Sequence, residues 1–227
     1  MFDIKIKLKT KSNCLVGNQT ESFSIGGVDQ STVINGDGKP MIYGSSFKGA
    51  FRNIVRENDK EMPKTKEYIK EILQDLSNKY SQINQIDKTE KIEKLIKKIE
   101  NYTKNPKAEY IFGIEGLNGM PRIFCTDFTL SKDNRNKDYF LIETKTSLEN
   151  KDGEILSRPR TYKVIKPEVI FEGNVRFQND YYSPKKVDLK NVESELKNML
   201  SKFNGGFYGI GNSKSRGYGL IEISILD

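Results

Sequence analysis

The order of apolar patterns along this 227-residue chain predicts an α+β fold, read as β–α–β–β–α–β and interrupted by two insertions. Three observations carry the expectation. Both ends alternate apolar and polar residues with the period of a half-buried strand. Two amphipathic helical runs and two more strand runs lie between them. Two further stretches, one helical and one hairpin-like, fit none of the six elements.

Phe2, Ile4, Ile6 and Leu8 alternate with Asp3, Lys5 and Lys7, which marks the first strand. A polar, Gly-containing stretch follows from about Thr10 to Gly38. Ser45-Ser46 then offers a cap for a helix running from near Ser46 to about Arg56, with Phe47, Ala50, Phe51, Ile54 and Val55 on its apolar side. Arg122–Leu130 and Val169–Phe177 are the middle strands. In the second, Val169, Phe171, Gly173, Val175 and Phe177 share one face. Asp188 or Leu189 opens a helix carrying Val192, Leu196, Leu200 and Phe203, and Leu220–Leu226 closes the fold. This is the split βαβ order of a ferredoxin-like, RRM-like core.

The insertion over residues 57–107 is rich in Lys, Glu, Gln and Asn. Ile69, Ile72, Leu73 and Leu76 recur at helical spacing, as do Ile92, Leu95, Ile96 and Ile99. Two amphipathic helices joined near Gln85–Asp87 satisfy this pattern, and their nearly balanced charge reads as a solvated face. The second insertion, about 142–166, reads as a hairpin with its tip at Lys151-Asp152-Gly153-Glu154. Its returning arm holds Arg158, Arg160, Lys163 and Lys166 without an acidic residue, so it is either a solvated hairpin or a basic finger laid on nucleic acid.

Composition bounds the chemistry. A net charge of +7 leans toward polyanionic partners. There is no histidine, so any reaction must use carboxylates, lysines, tyrosines or a bound metal. Cys14 and Cys125 are too far apart in sequence to suggest a zinc site without carboxylates, and Cys125 reads as a buried free thiol. A cytoplasmic setting is expected, with no membrane partner, since no apolar run reaches membrane-spanning length and the amino terminus is not a signal peptide.

Six glycines fall within Gly205–Gly219, with Lys214 and Arg216 among them. Glycine permits both close backbone approach and positive φ. The segment therefore has two readings: a cradle whose amides hold phosphate, or a tight connection into the last strand.

Gly44-Ser45-Ser46-Phe47-Lys48-Gly49-Ala50-Phe51-Arg52 and Gly211-Asn212-Ser213-Lys214-Ser215-Arg216-Gly217-Tyr218-Gly219 together resemble the paired motifs of the RAMP superfamily. Within it the chain is most similar to the small backbone subunit of type III CRISPR interference complexes. Tyr110-Ile111-Phe112-Gly113 and the basic excursion, where such proteins carry a β-hairpin thumb, add to the resemblance. It implies one domain over residues 1–227 that binds CRISPR RNA and target RNA and stacks with copies of itself and other subunits. The implied RNA-binding residues are Ser45, Ser46, Lys48 and Arg52 at the helix start, Arg158, Arg160 and Lys163 on the thumb, and Gly209, Gly211, Ser213, Lys214, Ser215 and Arg216 in the loop. Tyr162 or Leu156 is the implied wedge between bases. The loop is expected to pack near the start of the first helix.

The resemblance also implies metal-dependent cleavage of guide-paired target RNA by one aspartate, with Mg²⁺ as cofactor. Asp29, in Gly26-Gly27-Val28-Asp29-Gln30-Ser31-Thr32-Val33, matches that position, although the run is one residue longer than the family's and lacks its proline. The plainer reading is an aspartate bonding its own turn; Asp37, in Asn35-Gly36-Asp37-Gly38, reads as a turn residue. A non-cutting structural or capping subunit is the alternative. A guide-processing endoribonuclease is disfavoured by the missing histidine. If the basic arm holds RNA, replacing Arg158 and Arg160 with Ala should weaken binding and lower its salt dependence, by a log–log slope of ~0.7 for each phosphate released. An unchanged slope would remove both residues from the interface.

Overall fold

The computed structural model describes residues 1–17, 28–86, 88–120, 122–135, 137–151, 154–178 and 186–226. Gly26, Gly27 and the hairpin tip Asp152-Gly153 lie outside the described residues, and Leu156 and Arg158 are described by backbone alone. In chain order the elements are β1 (Phe2–Thr10), β2 (Gln30–Ser31), α1 (Gly44–Glu57), α2 (Pro63–Ile86), α3 (Glu90–Lys104), β3 (Arg122–Cys125), β4 (Thr129–Leu130), β5 (Phe140–Lys151), β6 (Glu154–Ile165), β7 (Ile170–Gln178), α4 (Leu189–Ser201) and β8 (Ile221–Leu226).

One sheet runs β3-β7-β1-β8, with β4 also paired to β7. Counting only the core strands, this is the order 2-3-1-4 of a ferredoxin-like fold. The first and last strands pair antiparallel, Leu8 opposite Ile223 and Thr10 opposite Ile221. The expected single strand Arg122–Leu130 is broken in two. Cys125 ends β3, Asp127 turns its carboxylate toward the Gly44 amide, and Phe128 forms a bridge with Ile42 before β4 resumes. A second sheet, β2-β6-β5, holds the long hairpin. Its parallel strand β2 interrupts the stretch that the sequence presents as unbroken polar chain.

The chain forms two compact units. The first comprises residues 1–3, 51–124 and 176–200. Here α2 buries Tyr68, Ile69, Ile72, Leu73 and Leu76, and Tyr68 meets Phe177 edge-on at 5.8 Å. Only Ile99 of α3 is fully enclosed, as its charged, amphipathic sequence implies. Thr89 caps α3 by accepting from the Ile92 amide. Glu195 of α4 does the same work for α2, accepting from the Lys64 amide (2.8 Å), the Thr65 amide (2.7 Å) and the Thr65 hydroxyl (2.7 Å).

The second unit comprises residues 4–50, 125–175 and 201–227. Ile4, Ile6, Leu8, Phe47, Phe128, Phe171 and Phe203 are fully buried. The Phe47 ring packs on Phe128 at 4.6 Å and stacks with Phe203 at 5.5 Å. Cys14 and Cys125 are both buried free thiols, and burial pushes the pKa of each up to about 12.

The three-bond cap at α2 generates a test. Glu195→Ala leaves two first-turn amides and a hydroxyl without their acceptor and removes a negative charge from a helix N-terminus, so it should cost about 1–2 kcal/mol in denaturant unfolding. A stability unchanged within error would mean that water replaces the carboxylate.

Candidate nucleic-acid interface

The motif at α1 starts its helix earlier than the two serines suggest. The Gly44 amide donates to Asp127 Oδ1 at 2.8 Å, and the Ser46 and Phe47 amides reach the Tyr43 carbonyl at 3.0 and 3.1 Å. A carboxylate at this end is favoured by the free amides and the helix dipole. The glycine is required: a Cβ at position 44 would lie 2.2 Å from the Cys125 carbonyl oxygen. Ser45 and Ser46 thus sit in the first turn rather than at the cap, Ser45 exposed and Ser46 half-buried. Lys48 is half-buried, and its charge acts on the Cys125 thiol. Arg52 belongs to the other compact unit, where its Nε lies 3.4 Å from Glu109.

The glycine-rich loop bonds to its own chain. The Asn212 amide donates to the Leu15 carbonyl (2.8 Å), the Gly219 amide to the Asn13 carbonyl (2.9 Å), and the Ile210 amide to the Gly219 carbonyl (2.9 Å). The Asn212 side chain reaches the Gly17 carbonyl at 3.1 Å. A Cβ at Gly211 would lie 2.3 Å from the Leu15 oxygen, and one at Gly219 only 2.0 Å from the Ile210 oxygen. Those glycines serve a tight closure against residues 13–17. Gly209 pairs in a bridge with Leu220. The closure displays a short 3-10 turn, Lys214–Arg216, on which Lys214, Ser215 and Arg216 are exposed and Ser213 half-buried at φ 58°. The Phe47–Phe203 stack joins α1 to the turn that precedes the loop.

The hairpin β5/β6 pairs from Phe140↔Ile165 to Lys151↔Glu154. Arg158 lies opposite Ser147, and Arg160 opposite Lys145. Strand pleating sets Arg160 and Tyr162 on one face and Thr161 and Lys163 on the other. Lys163 therefore does not join Arg160; its ammonium lies 4.8 Å over the Phe140 ring. Of the two wedge candidates, Tyr162 is half-buried at the base, against the cluster of Leu15, Val164 and Tyr218.

Asp29 is exposed and adjoins β2, whose Gln30 and Ser31 pair with Tyr162 and Lys163. Its Oδ2 accepts from the Thr161 amide at 2.6 Å. This bond crosses to the hairpin base instead of closing a local turn. At the next turn, Asn35 Oδ1 accepts from the Asp37 and Lys39 amides at 3.0 Å each, which accounts for Asp37 as a turn residue. Among the described residues, no group of three or more His, Cys, Asp or Glu gathers as a metal site.

Sequence reasoning missed the residues that join loop to hairpin. Glu143 on β5 accepts from the Tyr218 hydroxyl and from the Asn13 side-chain amide. Lys145 places its ammonium 3.9 Å over the Tyr218 ring and 3.9 Å from Glu143. Burial, reinforced by the Glu143 carboxylate, drives the Tyr218 phenol above its ordinary range, so it stays a donor. Only the placement of Tyr218 between two glycines hints at this; Glu143 and Lys145 have no sequence signal beyond their place in a strand.

A family model described as the RAMP superfamily matches residues 7–222, and the chain belongs to that superfamily. A chain in a cryo-EM structure of the type III-B Cmr-beta complex bound to cognate target RNA is 20% identical, with a TM-score of 0.50 over 99% of this chain and 60% of that one. This protein thus spans about three-fifths of that chain's length. A chain in the apo state of Cmr-beta is 11% identical, with a TM-score of 0.48 over 100% of this chain and 98% of the other. A search of curated proteins found no match. No helix among the described residues is long and apolar enough to cross a membrane.

Because the loop depends on close backbone approach, Gly219→Ala, at φ +77° and in collision with the Ile210 carbonyl, should destabilise the chain by more than about 1 kcal/mol. Gly217→Ala, at φ +83° but with open space around it, should cost less. Thermal or denaturant unfolding of the pair checks the order; equal destabilisation would assign both effects to φ alone.

Proposed function

We propose that this RAMP-superfamily chain is a CRISPR RNA-binding backbone subunit of a type III effector complex, and that Asp29 cleaves the guide-paired target RNA. Support comes first from the family and from the fold likeness to a chain of a type III-B complex with target RNA. The observation that carries the reading is the bond from the Thr161 amide to Asp29. It fixes an exposed carboxylate at the root of a hairpin whose returning arm is basic. RNA lying along that arm would run past the carboxylate.

The chemistry asked of Asp29 is modest. Accepting one amide bond leaves the carboxylate with lone pairs to spare, and the amide holds it in one orientation. So held, it can orient the 2′-hydroxyl for in-line attack on the adjacent phosphate. A single carboxylate is a poor metal cage but suits Mg²⁺, which commonly shares one or two carboxylates with substrate phosphates. Asp29 and the RNA's own phosphate oxygens would hold that ion, and it would supply charge stabilisation at the phosphate. Arg160, Lys214, Ser215 and Arg216, all exposed, would hold the sugar–phosphate backbone, with sequence read by guide–target pairing. A non-cutting subunit is the second reading, favoured by the lengthened, proline-free run around Asp29 and by the commitment of Oδ2 to Thr161.

The comparison that separates them is Asp29→Ala and Asp29→Asn in the assembled, guide-loaded complex with added Mg²⁺. Cleavage of complementary RNA should fall at least ~100-fold in both, with target binding retained. Full cleavage by either variant, or none by the unaltered complex, would leave the structural role.

A further inference from the structure

Lys145 and Arg216 stand on different elements, one on β5 and one on the glycine-rich turn, yet both line a single narrow cleft with Ser213, Tyr162 and Tyr218. The cleft is too tight to take in even a water molecule, so no base or free nucleotide enters it. A ligand must instead lie across its mouth. The two groups there are cations: Arg216 is exposed, and the Lys145 side chain is 39% exposed. Arg216 is close enough to oppose the rise of the Tyr218 phenol, which brings its charge to the same side chain that Lys145 covers.

The surrounding groups prepare Lys145 for an anion. Its ammonium lies 3.9 Å over the centre of the Tyr218 ring, a cation–π contact that helps to order the side chain. Among the described residues Glu143 is the one carboxylate paired with it, 3.9 Å away and a weak competitor, because its oxygens already accept from Tyr218 and Asn13. Arg216 has no carboxylate partner among the described residues. By contrast, Lys7, Lys9 and Lys11 on and beside β1 are paired with Asp133, Glu168 and Glu222 at 2.5–3.5 Å.

We propose that Lys145 and Arg216 form a two-armed clamp for one RNA phosphate, which bridges the hairpin base and the glycine-rich turn. The clamp rests on the RNA-binding reading above and deepens it, adding an RNA-holding residue that neither motif contains. Ser213, half-buried beside the cleft, offers a hydroxyl to the same phosphate. A backbone phosphate so held ties the loop to the hairpin a second time, in parallel with the Tyr218–Glu143 bond.

The test is the salt dependence of binding between the full-length chain and a single-stranded poly(U) oligonucleotide, for Lys145→Gln, Arg216→Gln and the double variant. Gln removes the charge while keeping a long polar side chain, and thermal unfolding checks that each variant folds. Each single substitution should weaken binding with little change in the log–log slope, because the remaining cation still holds the phosphate, and the double should lower the slope by ~0.7 for the one phosphate released. A fall of ~1.4 in the double variant would place the two cations on separate phosphates and overturn the clamp. So would a Lys145→Gln affinity equal to that of the unaltered chain. In either case binding itself survives, and with it the RNA-binding reading; failure of the unaltered chain to bind would overturn both.

Discussion

The closure of the glycine-rich loop against residues 13–17 is the constraint from which the rest of the second unit follows. Two of its glycines bring main chain within the space a Cβ would occupy, 2.3 Å from Leu15 O at Gly211 and 2.0 Å from Ile210 O at Gly219. Amides of the loop then bond to carbonyls of that segment, a satisfied arrangement that a buried backbone requires. Tyr218 is carried inward between Gly217 and Gly219, and its hydroxyl finds Glu143 on the hairpin. The hairpin base is held in turn by β2 and by Asp29 on the Thr161 amide. Loop, hairpin and candidate catalytic carboxylate are thus linked through a few polar bonds in one unit.

That linkage gives the glycines a structural role. The Gly217 and Gly219 amides donate to carbonyls of the chain, and the closure displays the side chains of the Lys214–Arg216 turn. Lys214, Ser215 and Arg216 form a short exposed turn flanked by left-handed residues, Ser213 before it and Gly217 after it. A parallel exchange occurs at α1. Asp127 takes the first amide of the helix, and Ser45 is left to meet solvent from the first turn.

The net charge of +7 is distributed unevenly as well. Cations on and beside β1 are balanced by Asp133, Glu168 and Glu222, and those exposed pairs add little to stability. The cations of the loop turn and of the hairpin arm at Arg160 lack such partners among the described residues.

Periodicity suffices for the ferredoxin-like order, the two helices of the insertion and the hairpin, because each element's apolar spacing is local to its own segment. Val169, Phe171, Val175 and Phe177 are buried as their alternation requires, and α2 ends at Ile86, where the pattern changes phase. The motifs around Ser45 and Lys214 are equally legible, being contiguous in sequence. Tertiary structure alone decided where the amides go, that Lys163 faces away from Arg160, and that Arg52 pairs with Glu109. It alone brought Glu143, Lys145 and Asn13 to Tyr218, and Thr161 to Asp29. These partners stand 57 or more positions apart or depend on strand register. Such pairings are fixed by the meeting of distant segments, and no local spacing encodes them.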